Sequence, residues 1–208
     1  MVDGNSSETG GPLEGIKVLD LTRHQAGPIC TMILGDMRAE VIKVEEPGSG
    51  DHSRQNSPTI DGLSAYFAAY NRNKKSATLN LKTEKGKELL RALIKRADAL
   101  VENYRPGVMA RLGFSYEDVS KLNPRIVMVS SSGFGQTGPY AKRAAFDTVA
   151  QAMSGIMSVT GFEDRPGVRV GAAIADSTAG FFGAIGAILA LFHQQRTGEG
   201  QHVDVSLL

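Results

Sequence analysis

A single cysteine, Cys30, among 208 residues excludes an internal disulfide and any cysteine-based metal framework. The four histidines, His24, His52, His193 and His202, are too scattered to give metal-ligand spacing, and no metal site is expected. An excess of either charge is also missing. Lys and Arg number 23 against 22 Asp and Glu, so the chain has no global field to draw in nucleic acid or an anionic membrane. No GxGxxG follows the first strand and no GxxxxGK[ST] occurs, which argues against a standard dinucleotide or P-loop site. There is no internal repeat. The longest apolar run, near residues 181–192, reads as too short to span a bilayer. Residues 1–13 form a polar, Gly- and Ser-rich leader without an apolar core, which reads as a disordered tail and not as a signal peptide. These absences point to a soluble cytoplasmic protein with no nucleic-acid or membrane partner. Cys30 falls in the apolar pattern of the first helix and reads as a small core residue.

What is present is an alternation. Residues 16–21 are a short apolar, β-branched strand, and after a loop Pro28 is well placed to start a helix through Asp36. Residues 41–44 form the next strand. The polar stretch 47–61, broken by Pro47, Gly48, Gly50 and Pro58, reads as a lid or an insertion. Residues 76–81 are extended, and Thr83 opens an amphipathic helix carrying Leu89, Leu90, Leu93, Ile94 and Ala97. Strands are expected at 99–101, 125–129 and 201–205, and helices at 147–157 and from Asp176 to about Arg196. Strands alternating with helices predict an α/β fold, a Rossmann-like parallel sheet flanked by helices. Ligands in such sheets sit beyond the carboxyl ends of the strands, which selects the loops 22–28, 45–54, 102–107 and 130–138.

One carboxylate stands out. Asp176 lies among small uncharged residues, Gly171 to Gly180, just before a long apolar helix pattern, with room for a large ligand to approach. At a helix start, near backbone N–H groups and the positive end of the dipole, it is expected to stay ionised and able to attack an activated acyl group. The simpler reading is that Asp176 or Ser177 is the N-cap of that helix.

Several loop segments are specific when taken together. They are Leu21-Thr22-Arg23-His24-Gln25-Ala26-Gly27-Pro28, Val41-Ile42-Lys43-Val44-Glu45, Gly50-Asp51 with Arg54, and Asn71-Arg72-Asn73-Lys74-Lys75-Ser76. After these come Val101-Glu102-Asn103-Tyr104-Arg105-Pro106-Gly107, Gly133-Phe134-Gly135-Gln136-Thr137-Gly138-Pro139 and Arg196-Thr197-Gly198-Glu199-Gly200-Gln201. In this order and spacing they resemble the class III CoA-transferase family, the formyl-CoA and carnitine CoA-transferase group, from residue 15 to residue 208. The resemblance implies a catalytic aspartate at Asp176 and, at Gln25, an amide near the reacting carbonyl. His24 and Ala26 match positions that line the coenzyme A pocket, and Asn103, Tyr104 and Arg111 match positions that contact coenzyme A. Coenzyme A carries phosphates and an adenine, so Arg72, Lys74, Lys75 and Arg105 are further cation candidates. Taken singly, each of them is more often a solvated surface charge.

The resemblance also implies an acyl-CoA thioester and a small carboxylic acid as substrates, no tightly bound cofactor, and an interlocked homodimer. The segments 71–75 and 135–139 resemble a succinyl-CoA-dependent branch, in which Arg23 or Arg143 would meet a second carboxylate. One position departs from the family. Where it often carries Arg after the Lys-Val-Glu strand, this chain has Glu46, so that phosphate contact is lost or moves to Arg54 or Lys43. Acyl-CoA racemases share the fold family, but their histidine falls where this chain has Phe146, which ranks a racemase second; a non-catalytic CoA-binding or scaffold protein stays in view as a different class, and a nucleotide-binding α/β domain is weak for want of a phosphate loop. Family members are considerably longer. Residues 14–208 are therefore expected to be the N-terminal part of the large domain, inactive without a C-terminal half.

Overall fold

The computed structural model describes residues 10–208. Most of the expected tail, residues 1–9, lies outside the described residues. Leu13, at the end of that stretch, is buried and donates its N–H to the Met37 carbonyl at 2.9 Å.

The order of elements is β1 (Lys17–Asp20), α1 (Ala26–Asp36), β2 (Glu40–Glu45), a 3-10 turn (His52–Gln55), β3 (Thr59–Ile60), β4 (Leu63–Ser64), α2 (Ala65–Asn71), β5 (Lys74–Thr78) and α3 (Glu84–Ile94). The second half continues with β6 (Ala99–Glu102), α4 (Val108–Leu112), α5 (Tyr116–Leu122), β7 (Val127–Ser132), α6 (Asp147–Met153), a second 3-10 turn (Ile156–Val159), α7 (Ile174–Thr197) and β8 (His202–Ser206). Six strands form one parallel sheet in the order β5-β2-β1-β6-β7-β8, while β3 and β4 pair as a small antiparallel hairpin. The order reverses between β1 and β6, and this switch point opens a crevice above their carboxyl ends.

Burial follows the period-two alternation of the strands. Val18, Val41, Val101, Val127 and Val129 face α1 and α7, whereas Leu19, Leu100 and Met128 face the layer holding Leu90 and Ile94 of α3 and Val119 of α5. α1 and α7 approach closely because their contact residues are small. A Cβ added to Gly180 would lie 2.6 Å from Ile29 Cγ2 and 2.8 Å from the Ala26 carbonyl oxygen. This contact sets the start of α7 beside the start of α1. Cys30 is buried in it, and burial pushes its thiol up to about 12, as befits a core residue.

α7 is 24 residues long, with a mean hydropathy of 1.6 over its most apolar stretch. By length and composition it could cross a membrane, which corrects the reading of the shorter run 181–192. Its Ala179, Ala184, Ala187 and Leu191 are buried in the core shared with α1 and β7, whereas Phe181, Ile185, Leu189 and Phe192 form an exposed apolar stripe.

The structure differs from the sequence expectation in several places. The strand expected at 76–81 runs from Lys74 to Thr78. The helix expected through Met157 stops at Met153, where Gly155 takes φ 82° and turns the chain into a 3-10 segment. α2, α4 and α5, all of seven residues or fewer, were not expected. The polar stretch 47–61 is anchored at its middle: Asp51 and Ser53 are buried, and Asp51 caps the turn they share.

Candidate active site

Loops from the carboxyl ends of β1, β6 and β7 meet the first turn of α7 around a cavity of about 250 Å³. Its walls include His24, Gln25, Ala26, Asn103, Arg105 and Asp176. Arg23 and Tyr104 line this cavity and also a second one of about 190 Å³, which is walled by Val44, Leu79, Leu81, Leu112, Glu46 and Lys82. A ligand could therefore pass from one to the other across the β1–β6 switch point.

The loop after β1 is held from below by buried charge. Lys74 lies 3.0 Å from Asp20 and Lys43 lies 3.0 Å from Asp51, and all four side chains are almost fully buried. Lys43 also donates to the Thr22 carbonyl at 2.7 Å, and Thr22 and Thr31 donate to Asp20. Burial alone would push Asp20 up. Lys74 and Lys43, joined by the two threonine hydroxyls, outweigh it and hold that carboxyl at about 2. From the side, Asn103 grips the backbone of Arg23, accepting its N–H at 2.9 Å and donating to its carbonyl at 2.8 Å. The loop then passes through His24 at φ 63°, an uncommon conformation for a residue with a Cβ, and delivers Gln25 to the N-cap position of α1.

Gln25 is buried, and its carbonyl oxygen accepts a hydrogen bond from the Tyr66 hydroxyl at 2.8 Å. That bond orients the amide so that its NH₂ faces Ser177 Oγ, 3.5 Å away in the first turn of α7. Burial, then Tyr70 and Asp176, push the Tyr66 phenol up to about 12, so it remains a donor at neutral pH. Tyr66 belongs to this site and was not singled out in the sequence. It sits in α2, whose N-cap Ser64 is an ordinary helix-start signal.

Asp176 is not the N-cap. That position belongs to Ala173, which has no side chain to cap with, and Asp176 occupies the third helical position. Asp147 of α6 does the capping: its Oδ1 accepts from the N–H of Ala175 at 2.8 Å and from that of Asp176 at 3.3 Å. The helix-end donors are therefore already neutralised. Burial, followed by the charge of Asp147, raises the Asp176 carboxyl to about 6. Asp176 is thus more basic than an ordinary aspartate, contrary to the expectation that the helix dipole alone would govern it, and it is still largely ionised at neutral pH.

The sequence-predicted residues divide into two groups. His24, Gln25, Ala26, Asn103, Tyr104, Arg105 and Asp176 converge on the cavity. Arg72, Lys74 and Lys75 do not: Arg72 pairs with Asp36, Lys75 with Glu40, and Lys74 is locked on Asp20. Arg111, on α4, lies outside the walls of both cavities. The substitutes considered for the departure at Glu46 are also engaged. Lys43 is buried on Asp51, and Arg54 makes a bidentate pair with Glu45 over the Phe67 ring. Glu46 itself pairs with Lys82 at 2.7 Å on the rim of the second cavity, and Lys82 is a cation that sequence reasoning passed over. Ser131 and Ser132 are buried in the wall of the first cavity, and their hydroxyls have no hydrogen-bond partner among the described residues.

Comparison with known proteins agrees with this fold. The chain is 48% identical over 208 residues to an acetyl-CoA:oxalate CoA-transferase of Acetobacter aceti, covering all of this chain and 54% of that one. It is 49% identical over 199 residues to a succinyl-CoA:glutarate CoA-transferase of Mus musculus, covering 95% of this chain and 45% of the relative. The chain thus spans about half the length of these relatives. A crystal structure of a CAIB/BAIF family protein from Brucella suis superimposes with a TM-score of 0.91 at 43% identity, over 95% of this chain and 53% of that one. The model of CoA-transferase family III matches residues 13–208, and the chain belongs to that family.

Proposed function

We propose that the protein transfers coenzyme A from an acyl-CoA thioester to a small carboxylic acid, with Asp176 as the nucleophile. The observation that carries this reading is a half-buried carboxylate of raised basicity that lines the switch-point cavity together with Gln25, whose amide Tyr66 orients toward the neighbouring Ser177. An Asp176 carboxylate oxygen attacks the thioester carbonyl and expels CoA thiolate, leaving a mixed anhydride. The thiolate then attacks the aspartyl carbonyl and releases the donor acid, which gives an aspartyl-CoA thioester. The acceptor carboxylate attacks that thioester to form a second anhydride and free thiolate. The thiolate finally attacks the acceptor's carbonyl, producing the new acyl-CoA and restoring Asp176. Every step exchanges one anion for another, so no proton donor is needed, and the sequence divides one hard exchange into easier covalent ones. The Gln25 NH₂, beside Ser177 in the first turn of α7, would supply the hydrogen bond that stabilises the oxyanion formed at each attack.

The thioester end of coenzyme A would occupy the cavity of Asp176. Its adenine end would lie in the more apolar second cavity, with Tyr104 and Arg23 at the junction and Lys82 at the far rim. The hydroxyls of Ser131 and Ser132, which have no partner among the described residues, line the same cavity as Arg105 and suit an acyl group that itself bears oxygen. This favours a dicarboxylyl donor such as succinyl-CoA, in keeping with the names of several relatives. A homodimer is part of the same proposal, and the exposed apolar stripe on α7 supports a partner surface there. A racemase would need a second base across the α-carbon, and the position where the resemblance puts its histidine holds Phe146.

The test is intact mass of the full-length protein after exposure to a panel of acyl-CoAs, beside Asp176→Asn. A hydroxylamine-sensitive CoA adduct absent from the variant is the expected result, and the panel identifies the donor. Coenzyme A binding without an adduct from any thioester would overturn the transferase in favour of a non-catalytic binder, and α-proton exchange without CoA transfer would favour the racemase.

A further inference from the structure

Two buried polar side chains of α6 have no evident purpose within that helix. Asp147 and Gln151 are one turn apart and both lie more than nine-tenths buried, a costly placement unless their hydrogen bonds are used. Apart from the bond that joins the two, those bonds go to the segment that leads into α7 and to its first turn. Gln151 Nε2 donates to Asp147 Oδ2 at 2.6 Å and to the Ala172 carbonyl at 3.2 Å, while its Oε1 accepts from the Val170 N–H at 2.8 Å. Asp147 Oδ1 takes the N–H groups of Ala175 and Asp176. The segment 170–176 approaches α7 without a side-chain cap of its own, since its N-cap is Ala173.

We propose that the Asp147–Gln151 pair is the positioning device of the catalytic aspartate: Gln151 fixes the incoming segment and orients Asp147, and Asp147 both seats the first turn of α7 and places a like charge behind Asp176. The proposal rests on reading Asp176 as the nucleophile. Its chemical consequence is that the nucleophile's own carboxylate is relieved of capping, and it accepts no hydrogen bond among the described residues. The charge of Asp147 keeps it a better base and nucleophile than a carboxylate facing bare helix donors would be. The other titratable or charged groups around Asp176 are Tyr66 from α2, Arg23 and His24 from the loop after β1, and Tyr104 and Arg105 from the loop after β6. Asp147 is the one whose charge raises it.

Asn at position 147 keeps an oxygen for the Ala175 N–H but removes the charge, whereas Ala removes both. The full-length protein and its D147N and D147A variants are therefore compared in two measurements: the carbon-13 titration of the Asp176 carboxyl, and the rate of CoA-adduct formation against pH. In D147N the titration should move down from about 6. The fall should not exceed about 1 pH unit, because burial is the larger of the two causes. The acid limb of adduct formation should move with it. D147A should slow adduct formation by about 10-fold or more through a misplaced nucleophile, and D147N should recover most of that loss. A residue that merely stabilised the fold would move neither titration nor acid limb. An unmoved Asp176 titration in D147N, or a D147A variant that reacts at the parent rate, overturns the proposal. If D147A does not fold, the D147N titration still decides. A shifted titration in a protein that forms no adduct would remove the transferase reading and uphold the assignment of Asp147.

Discussion

Replacing Lys74 by Met tests whether this cation serves the substrate or the fold. The geometry assigns it to the fold: its Nζ is 3.0 Å from Asp20, 3.0 Å from the Pro28 carbonyl and 3.0 Å from Asn71 Oδ1, with the side chain only 2% exposed. Removing one partner of a buried pair costs about 3–5 kcal/mol, because the other charge is left uncompensated. Asp20 would keep Thr22, Thr31 and the more distant charge of Lys43, which places the expected loss near 3 kcal/mol, the lower end of that range. The pH dependence carries a second signature. Asp20 is held at about 2, below its ordinary 3.8, so its contribution is present above pH 4 and is lost as the pH falls toward 2. At ~1.4 kcal/mol per pH unit, the difference is worth roughly 2 kcal/mol in the parent protein and should shrink in the variant. Urea unfolding at pH 7, and then in steps down to pH 2, measures both quantities. Lys75→Met is the control: that side chain is exposed on Glu40, where solvent screens the pair, and its loss should leave stability nearly unchanged. A K74M protein as stable as its parent but with a raised KM for acyl-CoA would refute the structural assignment and return Lys74 to the phosphates.

The other predictions concern the site and the packing that forms it. Because Asp176 must be ionised to attack and titrates near 6, the rate of adduct formation should rise with pH through a single ionisation around 6 and then level off; a rate flat from pH 4.5 to 8 would exclude Asp176 as the attacking group. Tyr66→Phe releases the Gln25 amide and should lower kcat by about 10-fold or more with little change in KM, since the oxyanion donor remains but is no longer aimed. Gly180→Val places methyl groups where Ile29 and Ala26 already stand and should cost roughly 1–3 kcal/mol by chemical denaturation, with a loss of activity beyond the loss of folded protein. Glu46→Arg removes the acid that neutralises Lys82 and adds a cation on the rim of the second cavity, so KM for acyl-CoA should fall and become more salt-sensitive; an unchanged KM would place the phosphates elsewhere.

The architecture was legible because its signals are local. Short apolar strands alternate with helix patterns, and the reversal of strand order places the loops after β1 and β6 at one crevice, where His24, Gln25, Asn103 and Tyr104 meet. The cations were read less well for a physical reason. A lysine's type says nothing about burial, and Lys74 and Lys43 are internal only because buried aspartates neutralise them, Asp51 for Lys43 and, for Lys74, the sequence-distant Asp20. α2 escaped notice because seven residues with aromatics at Tyr66, Phe67 and Tyr70 show too little periodicity, and Tyr66 was lost with it. Glu102 gives no local signal either. It is buried beside Ser130 and accepts the Tyr104 N–H at 2.8 Å, and burial, the largest cause, raises it to about 7. Its environment comes from three separate strands.

The start of α7 shows the limit most clearly. Asp and Ser in a run of small residues before an apolar helix are the usual marks of an N-cap, yet neither Asp176 nor Ser177 takes that position, which belongs to Ala173. In the fold, Asp176 stands at the third helical position, where an acidic side chain commonly turns back to bond the N-cap N–H. A carboxylate used in that way would be pinned to its own backbone and lowered in basicity, unsuited to attack. Supplying the cap from Asp147, 29 residues earlier, satisfies the helix and leaves the Asp176 carboxylate without a hydrogen bond among the described residues and raised to about 6. The Ala at position 173 then makes sense, since a capping side chain there would compete with Asp147 for the same N–H groups. Ala173→Ser should accordingly stabilise the isolated helix start by up to about 1 kcal/mol while weakening the hold of Asp147, and the rate of adduct formation should fall even as the unfolding midpoint rises. A variant that gained both stability and rate would show that the external cap has no part in preparing Asp176.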